Sequence, residues 1–247
     1  MTSTEWWTEL KSITLHAEGD QPPMWPAGAS PEYRAARFAL SESERALRDQ
    51  AEAVAAQRRA LPDGAVLPDY PLCEGPAELD SDGPVRAVRL TELFDGHPEL
   101  VVYHLMYHPD DEVPCPMCSM WVDGLAGVAK HLTQRAGLAV IAKAPLARLR
   151  GYGRTRGWQR LRLVSALDSP MLTDLGVEGS RGGQFPAFSV FRMDGDQVRH
   201  VLTQSADYPD RSPRGIDLLS PVWNVFDLLP SGRGDWLPNN IYPVAAD

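Results

Sequence analysis

Two cysteines stand three positions apart in Cys115-Pro116-Met117-Cys118, after an apolar run of strand length (Glu99 to His108) and a short acidic, proline-bounded loop (Pro109 to Pro114). Beyond them Trp121, Leu125, Val128 and Leu132 recur at helical spacing, so the pair falls in the first turn of a helix. Unpaired N–H groups and the positive end of the helix dipole favour a sulfur anion at such a place, the first cysteine gaining most. Pro116 suits the first helical position, where no N–H is needed. Cys115 is therefore the expected nucleophile and Cys118, one turn further in, the resolving thiol. The chemistry is thiol–disulfide exchange or peroxide reduction, with no bound cofactor required.

The same spacing is also half of a zinc site. Cys73 is the only other cysteine and no His-x-x-x-His motif follows the pair, so four sulfurs cannot be assembled from one chain. A mixed site remains open: Cys115, Cys118 and His104 offer soft sulfurs and an imidazole suited to copper(I) or zinc. His104 and His108, four apart, share a face if the run is extended, and His104 is also a candidate proton carrier for the thiol chemistry. The plainer expectation for the two is one packed and one exposed histidine. A third option is a non-catalytic binding protein. Tyr103, Tyr107 and Trp121 flank the motif and either pack or wall a substrate groove; Tyr103, Trp121 and Phe185 are the candidate substrate contacts. No Gly-x-Ser-x-Gly elbow is present to support a hydrolase.

At 247 residues, 43% hydrophobic, the chain is long enough for one good core and short for two full-sized domains. A formal charge of −9 disfavours nucleic acid and anionic membranes as partners. Protein or small-molecule thiols, disulfides or peroxides are the expected partners, with a homodimer among the possible assemblies. The first ten residues have neither a basic nor a continuous apolar region, and no later run is long enough to span a bilayer, so the cytosol is the expected location. An odd number of cysteines, three, fits a reducing compartment.

The elements that must position the dithiol read as follows. Residues 1–62 form an irregular arm, with Trp6, Trp7 and Trp25 among Pro22, Pro23 and Pro26, and then one or two helices from Ser30-Pro31 to Arg59. Their arginines (Arg34, Arg37, Arg45, Arg48, Arg58, Arg59) are expected on a solvated face, with i,i+4 pairs to Glu42, Glu44 and Glu52. The main domain spans 63–230. Tyr70–Gly75 and Val85–Leu90 read as short edge strands, and Cys73 as a packed small hydrophobe or a remote partner thiol. Thr91–Gly96 is a helical turn. The cysteine helix runs to about Arg135, Leu138–Ala142 is a buried strand, and a helix from Ala144-Pro145 turns Leu146 and Leu149 inward and Arg148 and Arg150 outward before Gly151, Gly153 and Gly157 end it. Leu161–Val164 is another strand, Asp168–Val177 a short capped helix, and Glu178–Gly183 a flexible loop. Ala187–Phe191 is a strand with phenylalanines on one face, turned by Asp194-Gly195 into Gln197–Leu202. Arg214–Leu229 carries apolar residues at helical spacing despite Pro221 and should close one face of the sheet, leaving 231–247 as an irregular tail.

This order of strand, Cys-x-x-Cys helix, strand, helix, proline-led hairpin and final helix resembles a thioredoxin-like domain, an α/β fold with a central mixed sheet flanked by helices. The resemblance rests on Cys115-Pro-Met-Cys118 and on Phe185-Pro186. It implies that Pro186 is cis, faces the dithiol and has neighbouring backbone that pairs with an extended substrate. More closely, Leu93-Phe-Asp-Gly96, Val102 to Met106, Cys115 to Gly124, Ala142 to Pro145, Gly157-Trp158, Phe185 to Phe191 and Gly215 to Leu219 resemble a bacterial thioredoxin-like family known only as domain of unknown function 899, within the thioredoxin/peroxiredoxin-like superfamily. Thioredoxin itself has a tryptophan before its first cysteine and a glycine within the motif, where this chain has Pro114 and Met117. The acidic residues Asp110, Asp111 and Glu112 are expected to raise a neighbouring thiol's pKa against the helix dipole. The resemblance therefore implies a dedicated oxidoreductase or a peroxiredoxin-like reductant in preference to a general thioredoxin.

Overall fold

The structure is a computed structural model that describes residues 25–241. Trp6, Trp7, Pro22, Pro23 and the last six residues of the tail lie outside the described residues. The chain divides at Ala60/Leu61 into two compact units.

In the first unit a single helix, α1 (Pro31–Arg59), starts where Ser30 accepts a hydrogen bond from the Tyr33 amide and Pro31 opens the first turn. Ser41 is its only buried residue, as a solvated helix requires. The ion pairs differ from the expected i,i+4 set: Arg37 pairs with Glu44, Arg45 with Glu42, and Arg48 with its neighbour Asp49. Long arginine side chains reach one or two turns along an exposed helix at little energetic difference, so spacing alone does not choose the partner.

The second unit is built on one eight-stranded mixed sheet in the order β1-β8-β7-β4-β5-β6-β2-β3. The strands are β1 (Val66–Leu67), β2 (Pro71–Glu74), β3 (Arg86–Arg89), β4 (Glu99–His104), β5 (Gly137–Ala142), β6 (Arg162–Ser165), β7 (Ala187–Asp194) and β8 (Gln197–Ser205). β4, β5 and β6 run parallel, joined by α2 (Pro116–Leu132) and α3 (Leu146–Arg156), while β7 and β8 form an antiparallel hairpin beside β4. This is the thioredoxin-like arrangement, with every β5 residue buried as a central parallel strand demands. One face of the sheet packs Trp121, Val122, Leu125 and Ala129 of α2 with Leu149, Ile216 and Trp223. The other packs Leu90, Leu93 and Phe94 of a 3-10 turn with Met171 and Leu172 of α4 (Met171–Asp174).

Several sequence expectations are corrected by packing. β2 pairs with β3 on one side and β6 on the other, so only β3 of that pair is an edge. Gly151 and Gly153 lie inside α3, and only Gly157, with φ +75°, ends it. Gly153 is needed for close approach: a Cβ there would stand 2.6 Å from Leu163 Cδ1. Arg150 points inward, donating to the carbonyls of Pro76, Glu78 and Leu79 at 2.8, 2.9 and 3.0 Å and so tying down the loop after β2. Phe188 and Phe191 lie on opposite faces, since three positions along a strand invert the side chain. The hairpin turn is Gly195-Asp196, one residue later than expected, with Gly195 at φ +63°. Within the 214–229 stretch the α-helix is confined to α5 (Pro221–Phe226), which Pro221 opens at its first turn, and Trp223 from it packs on the face bearing the cysteine helix.

Candidate active site at the start of the cysteine helix

β4 ends at His104 and the chain crosses to α2 through a pinned loop. Tyr107 donates to the Glu112 carbonyl at 2.9 Å, and Arg148 Nη1 donates to the carbonyls of Pro109 and Asp111 at 2.6 and 2.7 Å. The Cys115 amide donates to the Met106 carbonyl at 3.0 Å, and the Ser119 hydroxyl donates to the Cys115 carbonyl at 3.1 Å. Cys115 is thereby fixed as the residue that caps α2, with Pro116 at its first turn.

The two sulfurs are driven apart electrostatically. The Cys115 thiol is lowered to about 6, chiefly by the hydrogen bond it receives from Cys118; burial opposes this, and the backbone amides of Cys118 and Met117 add to it. Cys118 is pushed well above the usual thiol value by that same hydrogen bond, by burial and by the neighbouring charge of Cys115. Burial pushes the Tyr103 hydroxyl up as well; among the described residues it has no oxygen or nitrogen partner, and the sulfur of Cys118 lies beside it. Asp110, Asp111 and Glu112 are absent from the influences on Cys115, contrary to the expected opposition: all three are exposed, and water screens them. All three cysteines are free thiols, Cys115 half-buried and Cys118 buried.

The remaining candidates are dispersed. His104 lies on the sheet face opposite Tyr103 and Cys118, buried, with Nε2 2.8 Å from Ser189 Oγ in a chain that continues through Thr203 Oγ1 (2.7 Å) to His200 Nε2 (2.8 Å). It is therefore neither a third metal ligand beside the sulfurs nor a proton carrier to them. Among the described residues no three metal-ligating side chains come together, so the copper or zinc reading loses its donor set. His108, outside the strand, does not share a face with His104. Cys73, on β2, is three strands from β4, too far to act as a partner thiol. Tyr103 is fully buried, stacked on Trp121 at 6.4 Å and tilted against Phe188 at 4.9 Å, and forms part of the core. Phe185 is half-buried with the Arg211 guanidinium 5.5 Å from its ring. Among the described residues no peptide bond is cis, so the bond before Pro186 is trans, against the resemblance.

Two grooves meet the motif from different sides. Cys115 and Pro116 open on one of about 470 Å³, walled by Met106, His108, Val113, Gln184 and Asn240. Met117, Trp121 and Pro186 line another of about 360 Å³ with Trp223 and Trp236. Cys115 and Pro186 thus face separate spaces. Sequence reasoning missed Gln184 and Asn240. Asn240 donates to the Pro114 carbonyl and accepts from Tyr152, each at 2.9 Å, and Tyr152 meets Ser119 Oγ at 2.9 Å, so the C-terminal segment clasps the cysteine loop. No pattern in a proline- and glycine-rich tail announces that contact. Nor is Glu178–Gly183 a loose loop: Glu178 is buried against Lys143 Nζ at 2.5 Å, and the Gly179 amide donates to the Gly183 carbonyl at 2.8 Å.

The neutral state of His104 has a measurable consequence. Burial, and then the charge of His200, hold it at about 3, far below its ordinary value. Between about pH 6.5 and 3 the unfolded chain takes up a proton there that the native state refuses, so stability falls as pH falls, by up to about 1.4 kcal/mol per unit. Urea unfolding midpoints at a series of pH values in that window should show this slope, flattened in His104→Gln.

A mixed sheet with two cysteines at the start of the helix after its central strand defines a thioredoxin-like fold. The chain belongs to a bacterial protein family of unknown function, DUF899, matched over residues 23–243. No functionally curated protein matches its sequence. Among solved structures it is similar to the reduced 2-Cys peroxiredoxin of Plasmodium vivax, at 13% identity and TM-score 0.45, covering 66% of this chain and 94% of that one. Oxidized Prx3 of Vibrio vulnificus gives 15% and 0.44, covering 66% and 99%. Peroxidoxin BcpB of Mycobacterium tuberculosis gives 19% and 0.42, covering 59% and 86%. Among the described residues no helix is long and apolar enough to cross a membrane.

Proposed function

We propose that this protein is a thiol-based oxidoreductase acting in the cytosol on a hydroperoxide or a disulfide. The observation that carries the reading is the asymmetry of one sulfur pair: Cys115 faces two backbone amides and a donated thiol hydrogen and borders a groove, while Cys118 is buried behind it. The Cys115 thiolate attacks one oxygen of a hydroperoxide; an S–O bond forms, the O–O bond breaks, and the departing alkoxide or hydroxide takes up a proton. Cys118 then attacks the sulfenic acid, releasing water and closing an intramolecular disulfide. With a disulfide substrate, Cys115 forms the mixed disulfide and Cys118 displaces the second thiol. A dithiol or two small thiols return the two electrons, and the cysteines carry them without a bound cofactor. The negative surface makes nucleic acid and anionic membranes poor partners.

The test is thiolate absorbance against pH on the reduced protein, followed by single-turnover oxidation with cumene hydroperoxide and with oxidised glutathione. A titration near pH 6 and loss of two thiols per chain with either oxidant is the expected result. A Cys115 that titrates as an ordinary cysteine, or that stays reduced with both, sinks the reading.

A further inference from the structure

We propose that His108 is the acid that protonates the departing oxygen when Cys115 cleaves a hydroperoxide; the assignment rests on the oxidoreductase reading above. His108 and Cys115 wall the same groove, whereas His104, the histidine that the sequence favoured for proton transfer, faces away. Among the described residues the ring is held through Nδ1. Its Nδ1 accepts the Asp110 amide at 3.3 Å and lies 3.4 Å from Asp110 Oδ2, while its own backbone amide donates to Asp111 Oδ2 at 3.2 Å.

These contacts fix which nitrogen carries hydrogen towards the groove. In the neutral ring, Nδ1 accepts the backbone N–H, so the proton sits on Nε2; in the cation, Nδ1–H turns to the Asp110 carboxylate and Nε2 still bears a proton. Nε2–H is thus a donor in both states. Gly182, which also lines the groove, lies beside that edge of the ring: a Cβ there would stand 3.6 Å from Nε2, in ordinary contact. Gln184 lines the same groove, and its Nε2 is buried without a hydrogen-bond partner among the described residues.

The donors say what the groove is built for. A disulfide sulfur is a weak acceptor and leaves as a thiolate that is stable in water. A hydroperoxide offers two oxygens, and its alkoxide must gain a proton to leave. In the balanced step the Cys115 sulfur gives an electron pair to the distal oxygen, the O–O pair goes to the departing oxygen, and the His108 Nε2 proton joins it as alcohol, with Asp110 holding the ring by Nδ1–H. Met106, Val113, Pro114 and Pro116 give the groove an apolar wall, which suits an organic hydroperoxide.

The test is single-turnover oxidation of the reduced full chain by cumene hydroperoxide and by a nitro-substituted aryl disulfide, whose thiolate leaves without a proton. His108→Gln should slow the hydroperoxide reaction by about 100-fold or more and the aryl disulfide reaction by less than about threefold. Equal loss on both oxidants would show a structural role and overturn the proposal, as would no loss on the hydroperoxide. A wild-type protein oxidised by disulfides but never by hydroperoxides overturns the acid assignment and leaves the thiol reading standing. Inertness to both oxidants removes the thiol reading itself.

Discussion

Serine in place of Cys115 is expected to abolish turnover, whereas alanine in place of Cys118 leaves the first attack possible and stops the reaction at the next step. The difference follows from position: only Cys115 reaches a groove, and Cys118 is buried behind it with its thiol pointed at the Cys115 sulfur. A disulfide substrate should therefore accumulate as a mixed disulfide on Cys115 in Cys118→Ala, one adduct per chain by mass spectrometry. The same variant loses the largest influence on the nucleophile, so the Cys115 titration should move up from about 6 towards the ordinary thiol range. Once the titration lies above neutral pH, each further unit removes about tenfold of the thiolate present at pH 7. An unmoved titration in Cys118→Ala would mean that the helix amides alone set the anion. An adduct on Cys118 in Cys115→Ser would reverse the assigned roles.

How much of this was legible beforehand depends on the range of the interaction. The Cys-x-x-Cys at a helix start, the buried β5 and the proline-led hairpin are written in local residue types and periods of two or 3.6. They placed the two cysteines at the start of their helix, the sheet and the order of elements. What failed was side-chain direction and remote contact. His104 and His108 look equivalent in sequence, but the strand stops at His104, whose neighbour Tyr103 takes the face towards the sulfurs; His108 enters the groove because the loop after the strand turns it there. Arg150 was read as outward because arginine usually is; four backbone carbonyls 69 to 74 positions away make its burial possible, and nothing local announces them. Asn240 clasps Pro114 across 126 positions for the same reason. Pro186 shows the converse: a resemblance that locates the strand correctly does not carry over the isomer of its leading bond.

Lys143→Met is expected to destabilise the protein by about 3–5 kcal/mol, because it leaves a buried carboxylate without its cation. Glu178 is 4% exposed, and both of its oxygens lie against Lys143 Nζ, at 2.5 and 2.6 Å, with the Thr173 hydroxyl donating to one of them at 3.2 Å. The pair joins the end of β5 to the segment that turns back through Gly179 and Gly182 to Gln184, and Gly182 and Gln184 line the groove that Cys115 borders. The loss should read as a fall in melting temperature of roughly 10 °C, given about 2–4 °C per kcal/mol for a unit of this size. Removing both charges in Lys143→Met/Glu178→Leu should recover most of it, since the cost lies in the orphaned charge and not in the missing attraction. Function separates differently. Both variants cut the tie that positions Gly182 and Gln184, so the apparent KM for oxidant should rise in each, while the Cys115 titration, set by α2 and Cys118, stays where it is. Melting curves for wild type and the two variants, set beside single-turnover rates at several oxidant concentrations, test both halves. A double variant as unstable as the single one would place the energy in the attraction, and an unchanged KM would detach the loop from the groove.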